Sequence, residues 1–201
     1  MMVFPVSAST APPMALTSVP LAAALADGTR VVLDRCTPGD VDAVMAILNA
    51  VIVEGTTYPI EAVLTRDEFV AYFMSHDNFT LKVEATGEVV GSFHVKPNFP
   101  GRCSHVCNGG FVVAEAFRGK GAGRVMGAAY LPIAAELGYR MSMFNLVYVT
   151  NTASVRLWDS LGFTRLATVP KVGRLKGLGY VDAIQFIYDL TTVATFPGEK
   201  P

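Results

Sequence analysis

Residues 118–123 read Arg-Gly-Lys-Gly-Ala-Gly, and no other stretch restricts the fold of this chain as tightly. A short apolar run, Gly110 to Val113, precedes it. An apolar-periodic stretch from about Gly121 to Leu137 follows, with Pro132 expected to kink the helix it predicts. In a strand–glycine turn–helix unit the glycines reach positive φ and let main-chain N–H groups close around a ligand. The helix N-terminus adds partial positive charge. Arg118, Lys120 and Arg124 add full charges, and the ligand this suits is a diphosphate. Two common diphosphate loops are excluded. The string G-x-x-x-x-G-K-[ST] is absent. The dinucleotide pattern G-x-G-x-x-G fails because Arg124 stands at its third glycine.

The rest of the chain alternates strand and helix signals. Arg30 to Arg35 predicts a strand, and Thr37-Pro38 a cap and helix-opening proline. Val41, Val44, Met45, Leu48, Val51 and Ile52 follow at helical spacing, and Gly55 closes that helix. Glu54 to Pro59 is an irregular connector. Thr65 to Glu68 has capping-box spacing and opens a short helix with Phe69, Val70 and Phe73 inward. Phe79 to Val83 and Val89 to Val95 form a hairpin about Thr86-Gly87. Strands are expected at Ser142 to Val149, Phe163 to Thr168 and Val181 to Leu190. Asn151 or Thr152 caps a helix that Gly162 ends. With 201 residues and no repeat, the chain predicts one domain built on one mixed sheet with helices on both faces.

What remains at the loop is R-x-x-G-x-G, from Arg118 to Gly123. It is followed by a helix, a strand at Phe144 to Val149, Asn151 and then Leu161-Gly162-Phe163. This succession resembles the GNAT superfamily of N-acetyltransferases. The resemblance implies an α/β (α+β) GNAT fold: a single, mostly antiparallel twisted sheet of about seven strands flanked by about four helices. It implies acetyl-CoA as co-substrate, held by Gly119, Lys120, Gly121, Ala122, Gly123 and Arg124 with Arg118. Main-chain groups of Phe111, Val112 and Val113, and Asn151 with Ser154 and Trp158, would hold the pantetheine. Many members carry a Tyr acid where this chain has Trp158, and an indole N–H is no useful acid near neutral pH.

Further strings are similar to the subgroup that acetylates L-azetidine-2-carboxylate and other proline analogues. They include Thr57-Tyr58-Pro59, Lys96-Pro97-Asn98, Arg102 to His105, Cys107-Asn108, Phe144 to Val147 and Val181 to Ile184. That likeness implies catalytic and substrate roles for Asn108 and Asn145, with the backbone amide of Leu146 as a candidate donor. It implies a homodimer and a small amine or imino acid acceptor. Another small amine, a protein N-terminus and a non-catalytic CoA-binding module remain alternatives. Acetyl transfer needs a neutral amine, so a proton must leave before attack. Asparagines are not bases but orient a carboxylate, a water or the amine.

Tyr58 and Glu54 fall on the connector that lids the acceptor pocket in this fold, and read equally as a surface aromatic and a helix end. Cys103-x-His105-x-Cys107 offers three ligands where zinc takes four, so no metal is expected. On alternating strand geometry those three side chains share a face, and His105 reads either as a pocket residue or as a packed, hydrogen-bonded histidine. The net charge of -1 and the absence of a basic stripe argue against nucleic acid, and no apolar run is long enough to cross a membrane. Three cysteines, few and odd in number, suit a reducing cytoplasm. Residues 1–27, rich in Ala and Pro and without an early Lys or Arg, read as a loosely ordered leader rather than a secretion signal. Residues 28–192 are then the catalytic domain and 193–201 a tail.

Overall fold

The computed structural model describes residues 15–197. Eight strands form one sheet: β1 (Leu21–Ala24), β2 (Arg30–Arg35), β3 (Asp77–Val83), β4 (Val89–Pro97), β5 (Val106–Val113), β6 (Met141–Tyr148), β7 (Thr164–Leu175) and β8 (Gly179–Asp189). Their spatial order is β1-β2-β3-β4-β5-β6-β8-β7. Every neighbouring pair is antiparallel except β5 and β6. Four helices flank the sheet: α1 (Val41–Glu54), α2 (Arg66–Phe73), α3 (Ala122–Glu136) and α4 (Thr152–Ser160).

The helix ends follow their local chemistry. Gly55 closes α1 at φ 69. Thr65 and Glu68 form the reciprocal capping box of α2. The Asn151 side chain accepts from Ser154 N at the start of α4. Thr37 and Pro38 open a 3-10 turn, Pro38–Asp40, ahead of α1 rather than the α-helix itself. Val70, expected inward, is 38% exposed, because the apolar face of α2 is only the stripe Phe69–Phe73. Pro132 lies inside α3, which runs from Ala122 to Glu136 as one helix.

Three strand boundaries differ from expectation. β1 is an eighth strand, within the segment read as leader; it pairs with β2 in a hairpin about Gly28. β5 begins at Val106 instead of Gly110. β7 runs to Leu175, beyond the expected Thr168, because its long hairpin with β8 absorbs register shifts between Val169 and Gly173.

The parallel pair makes the opening that matters. β5 and β6 pair at Val106↔Met141 and Cys107↔Ser142 and then diverge. Beyond that point β5 is held by β4 alone and β6 by β8. The gap is kept open on the α3/α4 side by packed rings. Trp158 sits 4.4 Å from Phe144 and 4.9 Å from Phe111, centroid to centroid, with Tyr130 and Phe163 around them. Burying such a ring contributes about 1.5–3 kcal/mol, so this wall is stiff. On the opposite face Val44, Leu48, Ile52, Phe69 and Phe73 pack α1 and α2 against Val112 of β5.

Candidate active site

At the upper end of the opening, β5 runs into the glycine-rich turn and α3. Gly119 and Gly121 take φ 73 and 90. A Cβ at Gly119 would meet nothing within 4 Å, so the glycines serve conformation and leave the turn open. Gly121 is the N-cap of α3 and supplies no side-chain cap. Val125 N bonds Gly121 O, so the amides of Ala122, Gly123 and Arg124 are the first-turn donors that an α-helix cannot satisfy itself. Three amides around a left-handed turn at a helix N-terminus fit a pyrophosphate.

The basic side chains here are mostly engaged. Arg118 donates to both carboxylate oxygens of Glu54, at 3.0 and 2.8 Å, and to the carbonyl of Val113 at 3.3 Å. Lys120 pairs with Asp27 at 3.2 Å, and its carbonyl accepts from Ala26 N. Thr29 and Lys120 bonds hold the Asp27 carboxyl at about 2. The β1–β2 turn therefore braces the loop from outside. Arg124 is exposed and makes no ion pair among the described residues.

On the α1/α2 face lies a cleft of about 850 Å³. Ile52, Gly55 and Tyr58 form one wall, Tyr148 and the β7–β8 hairpin at Gly173 to Lys176 the other. The hairpin is docked: Lys176 N bonds Gly55 O at 2.9 Å and Lys176 Nζ bonds Val53 O at 2.9 Å. Gly173 is required because a Cβ there would stand 2.3 Å from the Tyr148 ring. Gly110 is required too: a Cβ would stand 2.6 Å from both the Tyr58 hydroxyl and His94 Cε1. The Tyr58 hydroxyl is buried without a hydrogen-bond partner, as is His94 Nδ1. Burial pushes the Tyr58 phenol well up and the His94 imidazole well down, so both are neutral near pH 7.

Where β5 and β6 part, three asparagine side chains meet. Asn145 Nδ2 donates to Asn98 Oδ1 at 2.7 Å, and Asn98 Nδ2 returns a bond to Asn145 Oδ1 at 3.0 Å. Asn108 Nδ2 donates to the same Asn98 Oδ1 at 3.3 Å. Asn98 follows β4 directly, and its own N–H is fixed on Val106 O at 2.8 Å. The β6–β8 register shifts between Phe144 and Val147, leaving Asn145 and Leu146 outside the paired ladder. Leu146 is 39% exposed. The trio does not line the 850 Å³ cleft itself. It lies farther along β5, where Asn108 is two residues from the Gly110 that Tyr58 covers.

The expected site residues therefore divide. The structure brings Asn108 and Asn145 together, and it puts Phe111, Val112 and Val113 on the strand leading to the loop. Tyr58 stands on the cleft wall. His105 is exposed in the turn before β5, where only its carbonyl is engaged, by Arg140 N and Met141 N. Alternation does not reach it because the strand starts at Val106. Trp158 is 3% exposed and packed among Phe111, Phe144 and Phe163, so it shapes the floor of the opening. Cys107 is buried and bonded to the Tyr130 hydroxyl at 3.2 Å, whereas Cys103 is exposed. Among the described residues no group of His, Cys, Asp and Glu is arranged to hold a metal. Asn98 is the hub of the amide cluster, and in the sequence its one signal is the Lys96-Pro97-Asn98 string.

The family model described as Acetyltransferase (GNAT) family matches residues 48–163. N-acetyltransferase aca1 of Schizosaccharomyces pombe is 42% identical over 158 residues, which cover 70% of this chain and 76% of that protein. Protein SPT10 of Saccharomyces cerevisiae is 33% identical over 117 residues, covering 58% of this chain and 18% of that protein. A GCN5-related N-acetyltransferase from Kribbella flavida superposes with a TM-score of 0.75 at 30% identity, over 79% of this chain and 97% of that one. The fold of yncA from Salmonella typhimurium, solved with acetyl-CoA, matches with a TM-score of 0.72 at 22% identity, over 80% and 94% of the two chains. The splayed parallel pair, the open glycine turn and these matches mark one class: the chain belongs to the GNAT family of acetyltransferases. It is an acetyl-CoA-dependent N-acetyltransferase.

Proposed function

We propose that the acceptor is a small cyclic imino acid, azetidine-2-carboxylate or a proline analogue, acetylated on its ring nitrogen. The observation that carries this reading is the amide cluster of Asn98, Asn108 and Asn145 at the mouth of the β5–β6 opening. Neutral amides that hold one another in fixed rotamers are suited to orient a compact polar acceptor.

In this reading acetyl-CoA supplies an acetyl group activated as a thioester. The amides of Ala122, Gly123 and Arg124 hold its pyrophosphate, with Arg124 available as a further cation. Main-chain groups of Phe111 to Val113, together with Asn151 and Ser154, support the pantetheine. Asn108 and Asn145 orient the acceptor, and the Leu146 amide is a donor for the developing oxyanion. Burial pushes the Cys107 thiol up to about 11, so it stays protonated and an acyl-cysteine route is disfavoured. Attack by the imino nitrogen on the thioester carbonyl is then direct: the N–C bond forms, the C–S bond breaks and CoA leaves as a thiolate, while the nitrogen's proton passes to water, which can return one to the thiolate. The catalytic unit in this reading is 28–192, acting as a cytoplasmic homodimer.

A thiol-release assay with acetyl-CoA tests it across azetidine-2-carboxylate, cis-4-hydroxyproline, proline and polyamines. The expected result is release with the cyclic imino acids. Release with polyamines alone would overturn the reading.

A further inference from the structure

Lys96 is the last residue but one of β4, and it stands directly across from Asn108 in the β4–β5 register. Cross-strand partners carry their side chains on the same face, with Cβ atoms about 4.5–5.5 Å apart. That face is the one covered by α1 and α2, since Val112, four residues along β5 from Asn108 and so on the same face, packs in their core. Lys96 is therefore a neighbour of the amide cluster on the acceptor side, with Asn98 two residues farther along the chain.

Its ammonium is half-buried and has no carboxylate partner among the described residues. The groups around it are the Tyr72 ring, whose centroid lies 4.9 Å from Nζ, and the imidazoles of His76 and His94. The ring supplies a cation–π contact that fixes the lysine without neutralising it. Desolvation draws the lysine pKa down, and the lysine charge in turn helps keep both imidazoles neutral. Two other lysines, by contrast, have carboxylate partners: Lys82 pairs with Asp40 and Lys120 with Asp27. Withdrawing an ammonium from water without a counter-ion is costly, and an anion arriving with a ligand offsets that cost.

We propose that Lys96 is the specificity residue that binds the carboxylate of the acceptor. It would draw the acid group toward the β4 side of the rim, while the asparagines hold the ring and its nitrogen toward the opening. This rests on the imino-acid reading given above and names the charge that selects the substrate class. The chemistry is a charge-assisted N–H···O contact, which a neutral amine acceptor cannot use.

The test compares Lys96→Met and Lys96→Arg with the wild type on two matched acceptors, azetidine-2-carboxylate and its carboxamide, by initial-rate thiol release. Lys96→Met is expected to raise the KM of the acid about tenfold or more. Turnover of the carboxamide should stay within about threefold, as should the KM of acetyl-CoA. Lys96→Arg, which keeps the charge, should recover part of the loss. Thermal unfolding of each variant shows whether the fold is intact. An equal loss of kcat on acid and carboxamide would overturn the proposal while leaving the imino-acid reading standing. Unchanged kinetics on both acceptors would overturn it in the same way. Wild-type release with amines but with neither imino nor amino acids would overturn both.

Discussion

On the proposed reading the two ends of the β5–β6 opening recognise their ligands by different means. At the loop end the donors are main-chain amides of Ala122 to Arg124, and the nearby side chains of Arg118 and Lys120 are spent on Glu54 and Asp27. At the rim they are side-chain amides of Asn108 in β5, Asn145 in β6 and Asn98 just past β4, with Lys96 beside them. A main-chain cradle depends on local conformation, so glycines specify it within six residues. A side-chain cluster depends on tertiary assembly: Asn98 and Asn145 are 47 positions apart. On that reading the loop is a common device for one co-substrate, and the rim is where this chain can acquire its own acceptor.

The difference can be broken first at the loop. Gly121→Val puts a β-branched residue at φ 90, a conformation that costs about 1–3 kcal/mol for non-glycine residues. Acetyl-CoA affinity should fall about tenfold to hundredfold, read by calorimetric titration, with circular dichroism unchanged. At the rim, Asn145→Ala should do the reverse. It strips a reciprocal amide pair and leaves Asn98 without that partner, so acceptor kcat/KM should drop about thirtyfold. Acetyl-CoA affinity should stay within about twofold. Equal losses in both constants would erase the distinction between the ends.

Acid sharpens it further. Burial lowers the His94 pKa well below its ordinary 6.5. Below that value the unfolded chain takes up a proton that the folded one refuses, so stability is full above 6.5 and falls as pH drops toward the folded value. The slope for one such group is at most about 1.4 kcal/mol per pH unit. Melting temperature should therefore decline between pH 6.5 and 5, and His94→Gln should flatten that decline. Asp27 at the loop, held at about 2, should keep its contact with Lys120 throughout this range. The smallest effect is expected from Glu54→Ala. A half-exposed pair of this kind is worth about 0–1 kcal/mol. Freeing Arg118 should tighten acetyl-CoA less than about fivefold in the same titration.

The same contrast explains what could be read from the residues alone. Thr65 with Glu68, Asn151 with Ser154, and Gly55 act within one helical turn, and each cap forms where its spacing predicts. The glycine turn is equally local. β1 was hidden because Leu21 to Ala24 shows no alternation and gains its place only by pairing with β2. His105 falls outside the strand alternation because β5 begins only at Val106. Trp158 was read from its place in a family pattern, and only packing reveals that Phe111, Phe144 and Phe163 enclose it. Lys96 and Asn98 carry no local signal, since a lysine and an asparagine beside Pro97 look like solvated loop residues. Their meaning comes from the register that sets Lys96 against Asn108 and from the bonds that Asn98 makes to both other asparagines.

Asn98→Ala tests the division most directly, because this residue belongs to the amide cluster and has no place at the loop. Initial rates of thiol release should show acceptor kcat/KM lowered at least about tenfold with the KM for acetyl-CoA within about twofold of wild type. A rise in the acetyl-CoA KM as large as the loss with the acceptor, or no change in either, would contradict the account.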